Sequence, residues 1–273
     1  MNRTAAAIIG SLVLVIIPAP ALAQQSNEEL AKAAQNPIAS MISLPFQDNV
    51  NFDVGPKKQT QNVLNIQPVV PFGLNADWNV ITRTIVPVIS QPDFGTGNGR
   101  TDGLGDIQFS AFFSPVRPTA SGWIWGAGPI VQLRTATDDV LGQGKWGLGP
   151  TAVVLRTQKG SPWVYGALVN NVWSIGGDSS RPAVNQMLIQ PFVNYNFPDY
   201  PGRYLSFSPI VTADWKRDGD NTWTVPLGLG IGQIFRIGRQ PMNAQVHAYW
   251  NAVRPDNAAS WNLRLQVQFL FPK

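Results

Sequence analysis

The chain has no cysteine and one histidine, His247. Without cysteine there is no disulfide framework and no thiolate metal site. One histidine without clustered acids leaves a metal centre short of ligands, so no metal or other cofactor is expected. Charge is scarce too: Asp, Glu, Lys and Arg make up 13% of the 273 residues, about half the usual ~25%. The formal net charge of +4 comes without a basic run, which argues against a nucleic-acid partner. Beyond the first residues no segment offers the ~18 consecutive apolar residues of a membrane helix. From about residue 40 no helical period of useful length occurs, so crossover βαβ units are excluded.

Glycine (25), proline (23) and tryptophan (10) are abundant instead. The N-terminus has Arg3, the apolar run "AAAIIGSLVLVIIPAP" and the small-x-small site Ala21-Leu22-Ala23. These are the parts of a secretory signal peptide, residues 1–23, cleaved after Ala23. Residues 24–39 form a tail. Ser26 and Glu29 have capping-box spacing and Asn36-Pro37 is a stop, which predicts a helix at about 27–35. It reads as polar all round, and so as a periplasmic tail or a plug. An exported chain with few charges, many aromatics and no membrane helix suits a protein that meets lipid without helices.

Residues 40–273 switch to a period of two. In "NLRLQVQFLF", Leu263, Leu265, Val267, Phe269 and Phe271 alternate with Arg264, Gln266 and Gln268. Apolar residues on one face and polar residues on the other are the mark of a strand. Twelve such segments lie near 43–54, 60–71, 77–90, 105–116, 122–136, 146–157, 162–175, 184–196, 203–216, 221–235, 242–253 and 260–271. Each reaches the ~9–11 residues of a tilted membrane strand. "FGLNAD", "RPTASG", "KGSP", "PDYPG" and "GRQP" are tight turns, whereas "QPDFGTGNGRTDGLG", "TDDVLGQGK" and "GGDSSRPA" are longer. Short turns on one side and longer loops on the other suit an outer-membrane barrel. All ten tryptophans lie within about four residues of a predicted strand end, where interfacial girdles belong. The predicted fold is all-β: a single antiparallel transmembrane barrel of about 12 strands with a short N-terminal periplasmic helix. A soluble exported sandwich or lipocalin-like barrel is the alternative. Proline inside the strands (Pro68, Pro87, Pro129, Pro150, Pro191, Pro209, Pro226) opposes any ladder and predicts bulges or bends.

The stretches "NEELAKAAQNPIASMISLPFQDNVNF", "TQNVLNIQPVVPF", "ITRTIVPVISQP", "GLGDIQFSAFFSP", "GKWGLGPTAVVL", "IQPFVNYN" and "LRLQVQFLFPK" together resemble a family of bacterial outer-membrane β-barrel proteins. Its members are labelled transporters or carry the transferred label neuromedin U. That family is similar to the barrel family of the meta-pathway of phenol degradation. The resemblance covers nearly the whole mature chain. It implies a Gram-negative outer-membrane location and a channel or uptake role, and supplies no functional residues.

Arg83, Arg134, Arg156 and Arg264 lie in predicted strands. A lipid-facing Arg at the bilayer midplane costs roughly 2–4 kcal/mol, so these side chains should face the lumen or sit near an interface. With Asp214 and Asp106 as the acids, the lumen is biased positive. The arginines either prefer anionic solutes or pair with Asp214, Asp106 or backbone carbonyls. The expected pore-lining set is Arg83, Asp106, Gln108, Gln132, Arg134, Gln190, Asn194, Asp214, Gln245, His247 and Arg264. Gly126, Gly128, Gly147, Gly149, Gly228, Gly230 and Gly232 either widen the lumen, make room for a plug or permit bends. In "TDGLGDIQFSAFFSP" no helix follows the glycines, so this is no dinucleotide loop. Gly103 and Gly105 shape a descent into the membrane, with Asp106 at the mouth. No serine motif accompanies His247, and no catalytic residue is expected. The expected function is porin-like passive passage of small solutes, hydrophobic or anionic, with outer-membrane lipids and the general export and barrel-assembly machinery as partners. A non-transport envelope barrel, structural or lipid-modifying, is the alternative.

Overall fold

The structure, a computed structural model, describes residues 25–94, 97, 99–158 and 160–272. The predicted signal peptide lies outside the described residues. Helix α1 spans Asn27–Ala34. Twelve strands follow: β1 Ile42–Val54, β2 Gln59–Ile66 with Val69–Gly73, β3 Trp78–Gln91, β4 Thr101–Leu104 with Gln108–Pro115, β5 Trp123–Gln132 and β6 Lys145–Thr157. They continue as β7 Trp163–Gly177, β8 Asn185–Asn196, β9 Arg203–Phe207 with Val211–Asp214, β10 Trp223–Ile237, β11 Gln240–Val253 and β12 Trp261–Phe271. Each strand pairs antiparallel with its sequence neighbours, and β12 returns to β1 from Ile42↔Phe271 to Phe52↔Trp261. The sheet is a closed twelve-stranded barrel with no free edge.

Two boundaries move the loops. Thr101–Leu104 pairs with β3 as far as Gln91↔Thr101, so the loop after β3 is shorter than its sequence reads. β5 ends at Gln132, and the longest connection becomes 133–144. Helix α1, the end of β12 and the short turns share one end of the barrel, here the turn side. Trp78, Trp123, Trp125 and Trp163 ring that end, and the other six tryptophans ring the loop side. Outward residues between the rings are apolar and exposed, among them Leu205, Leu229, Ile231, Val246, Leu265 and Val267. One polar strip interrupts them. Asp48, with the outward parity of Phe46 and Val50, accepts from Asn62 Nδ2 at 2.7 Å, and Ser90 Oγ donates to Asp102 at 2.5 Å.

The prolines sit where the ladder stops. Gln67-Pro68 and Ser208-Pro209-Ile210 separate the two halves of β2 and β9. A register shift falls between Val225 and Pro226. Pro129 and Pro150 face each other across β5 and β6. On their far sides, pairing lapses between Ser110↔Ile130 and Phe113↔Ala127 and between Leu148↔Trp173 and Thr151↔Asn170. Pro191 lies where β8 loses β9, between Ile189↔Val211 and Val193↔Phe207. The missing donors are thus confined to places with no ladder partner.

Inside, two halves differ. Inward residues of β3 to β8 form an apolar core: Ile81, Phe112, Val153, Leu155, Val164, Leu168 and Phe192, with Ile38 of the N-terminal segment. The wall from β9 round to β1 is mostly polar, apart from the apolar residues that meet the plug. Helix α1 has the capping box read from sequence, Ser26 N–H to Glu29 Oε2 at 3.0 Å and Glu29 N–H to Ser26 Oγ at 3.2 Å. It is not polar all round, however. Leu30 and Ala31 are fully buried against lumen-facing Tyr204, Ile234 and Leu270, which makes the segment a plug in the turn-side mouth. Full burial of a leucine side chain contributes about 1.5–3 kcal/mol. Gln35 and Asn196 lock the plug by reciprocal amide hydrogen bonds of 2.8 and 3.2 Å.

Of the inward glycines, Gly230 and Gly232 accommodate neighbouring side chains. A Cβ at Gly230 would lie 2.1 Å from the His247 ring, and one at Gly232 would lie 2.2 Å from the Tyr204 ring. Both aromatic rings therefore pack closely against β10. Gly230→Ala should destabilise the barrel by roughly 1–3 kcal/mol through overpacking, read as a lower urea midpoint in detergent micelles. His247→Ala in the same chain should recover only part of that loss, because the Cβ would still meet the Val246 carbonyl at 2.5 Å. An unchanged midpoint in the single variant would refute the packing.

Candidate functional site

The lumen is divided into two chambers that share no lining residue. The turn-side chamber, about 130 Å³, is floored by Ala33–Pro37 of the plug and walled by Gln47, Gln67, Arg83, Gln190, Gln245, His247 and Arg264. The loop-side chamber, about 610 Å³, is lined by Asn51, Gln61, Gln108, Gln186, Asp214 and Arg217.

Strand alternation locates the septum between them. Along β1, Gln47 lines one chamber and Asn51 the other; along β11, His247 and Asn251 do the same. Asn49 and Tyr249 occupy the layer between, and Arg264 links them. Its Nε donates to Asn49 Oδ1 at 3.2 Å, and its guanidinium lies 4.9 Å from the Tyr249 ring centroid. Arg264 Nη1 and the Tyr249 hydroxyl both donate to the Ser208 carbonyl, at 3.2 and 2.9 Å. That carbonyl belongs to the break in β9. Side chains of β11 and β12 thus reach into the lumen to satisfy backbone that the ladder leaves free.

Of the residues expected to line a pore, Arg83, Gln190, Asn194, Gln245, His247 and Arg264 meet in the turn-side chamber. Gln108 and Asp214 line the loop-side chamber. The arginines do not use the two acids. Asp214 pairs with Arg217 at 3.2 Å, whereas Arg83 Nη2 donates to Gln67 Oε1 at 2.5 Å. Gln132 is buried and accepts from Gln108 Nε2 at 3.2 Å. Arg134 lies past the end of β5, exposed, near Asp178. The Asp178 carboxyl is held below the usual carboxylate range, chiefly by the Ser180 hydroxyl and N–H, with a smaller part from Arg134. Arg156 has the outward parity of exposed Val154 and lies 6.0 Å from the Trp123 ring centroid, at the turn-side girdle.

Asp106 anchors a loop. Its carboxylate accepts from the backbone N–H groups of Thr135, Ala136 and Gln143, at 3.2, 3.1 and 2.6 Å. Connection 133–144 is thereby folded onto the inner face of β4, where a Cβ at Gly103 would strike Thr137 Oγ1 at 2.2 Å. Arg181 pins the same loop by donating to the Gly142 and Asp139 carbonyls, at 2.6 and 2.9 Å. Sequence reading missed the septum residues Asn49 and Tyr249 and the carbonyl of Ser208. The proline after Ser208 was the one available sign, since it marks a backbone break.

Among solved structures, the chain is similar to the COG4313 outer membrane channel from Pseudomonas putida F1, at 16% identity and a TM-score of 0.63 over 86% of this chain and 96% of that one. It is more distantly similar to outer membrane phospholipase A from Escherichia coli, at 11% identity and a TM-score of 0.44 over 92% of this chain and 99% of that one. No protein-family model matches the chain, and no curated protein does. The first likeness shows the barrel fold and leaves the finer family resemblance read from sequence unsupported by a match.

The septum makes a direct prediction. Tyr249→Ala removes the ring between the chambers and should raise single-channel conductance in planar bilayers several-fold over the unmodified barrel. Equal conductance in the two proteins would mean that the constriction lies elsewhere.

Proposed function

We propose that the chain is a passive outer-membrane channel for small solutes, with the plug and short turns in the periplasm and the longer loops outside. The observation that carries this reading is the divided lumen: two chambers of mixed polar and apolar lining stacked along the barrel axis, with the layer of Asn49, Tyr249 and Arg264 between them. An apolar outer band between tryptophan rings suits lipid, and export by the predicted signal peptide followed by barrel assembly would place it there. The description of the similar structure as an outer membrane channel agrees with this reading. A lumen of twelve strands lies between the filled interior of roughly eight and the wide channel of 16–18, which suits small solutes.

The plug supplies the test. Leu30→Glu places a carboxylate where a fully buried side chain packs and should expel α1 from the mouth. Liposomes carrying the unmodified barrel should swell slowly in small sugars or amino acids, and those carrying Leu30→Glu should swell several-fold faster. If neither protein conducts or supports swelling, the channel reading fails. Lipid hydrolysis by the purified barrel that His247→Ala abolishes would favour the enzymatic reading instead.

A further inference from the structure

We infer that the turn-side chamber is a binding site for a small organic carboxylate, a carboxylate group on a compact apolar body. The inference rests on the channel reading, for which it names the solute class and a station along the path.

Charge comes first. Arg83 and Arg264 both line the chamber, and none of its lining residues is acidic. Neither arginine forms an ion pair among the described residues. Two guanidinium groups at membrane depth without a counter-charge carry a desolvation cost that an anion would offset. Their donors are not exhausted. Arg83 donates from Nη2 to Gln67, and Arg264 from Nε and Nη1 to Asn49 and Ser208. The remaining N–H groups are free for a carboxylate, which a guanidinium fork grips with two parallel bonds.

His247 is the second, independent sign. Its side chain lines the same chamber, the residue is 2% exposed, and neither ring nitrogen has a hydrogen-bond partner. Buried polar groups in folded proteins almost always have one. His247 therefore brings an unsatisfied imidazole to the chamber lining.

The apolar part of the lining sets the rest of the molecule. Met41, Pro45, Val69 and Phe192 also line the chamber. A sugar would leave these apolar groups unmatched, and a hydrocarbon would leave two guanidiniums unmatched. At about 130 Å³ the space is well below the ~300 Å³ at which pockets begin to take drug-sized ligands, so the body is a single ring or a short chain.

Benzoate and its neutral isostere benzamide separate charge from shape. Titrated into the purified full chain in detergent and followed by isothermal calorimetry, benzoate should give a saturable 1:1 isotherm. Benzamide should bind at least tenfold more weakly. Arg83→Gln should weaken benzoate at least tenfold, and Arg83→Lys should retain more affinity than Arg83→Gln. Heat-modifiable migration on gels confirms that each variant is a folded barrel. No saturable benzoate heat, equal binding of benzamide, or an Arg83→Gln barrel that binds benzoate like the unmodified one would each overturn the inference. The two readings fail separately. A barrel that conducts but does not bind benzoate loses the carboxylate site and keeps the channel. One that binds benzoate but neither conducts nor supports swelling keeps the site and loses the channel.

Discussion

Lipid offers no hydrogen bonds, so each backbone N–H and C=O at membrane depth needs a partner within the protein. Closing the sheet from β12 to β1 meets most of that demand. The rest follows from the places where closure is imperfect. At the break in β2, Thr84 N–H donates to the Pro68 carbonyl at 3.1 Å. At the break in β4, Gly105 N–H donates to the Pro87 carbonyl at 2.9 Å. At the break in β9, Arg264 and Tyr249 reach through the lumen from β12 and β11 to the Ser208 carbonyl. The septum is therefore a structural repair and a barrier at once. A charged group has been drawn into the middle of the barrel to satisfy one carbonyl.

The same demand shapes the contents of the lumen. Where inward apolar residues of β3 to β8 cluster, the wall behaves like the core of a soluble protein and packs itself shut. Open space remains where polar inward residues outnumber apolar ones. The plug bridges the two regimes. Ile38 joins the apolar core, Leu30 and Ala31 join a second cluster, and Gln35 pairs with an amide of the polar wall.

The strands were readable because their two faces meet media of opposite polarity. Leu265 and Val267 against Arg264 and Gln266 fix which side is which, and no tertiary knowledge is needed. The tryptophans gave the two rims for the same reason. Strand ends were less legible where a glycine or proline lets pairing stop and resume, as at Thr101–Leu104. The interior was hardest, because side chains meet there at one height from strands distant in sequence. Arg264 and Asn49 touch across a separation of 215 residues. Asp106 shows the limit most clearly. Its position at the head of a strand suggested a pore rim, whereas its carboxylate is occupied by three N–H groups of a loop some 30 residues away. The strip from Asp48 to Asp102 on the outer face broke the alternation in plain view, but alternation alone does not say what polar groups do there.

The interrupted ladders have a mechanical meaning. Strand number and stagger fix the size of a closed barrel but leave the shape of its cross-section free. Ladder hydrogen bonds resist bending between neighbouring staves. Where β2, β4 and β9 are broken, and where Pro129 faces Pro150, that resistance is reduced. The wall is then a set of stiff panels joined at soft creases spread round its circumference. Such a ring changes from round to oval at low elastic cost without any seam opening.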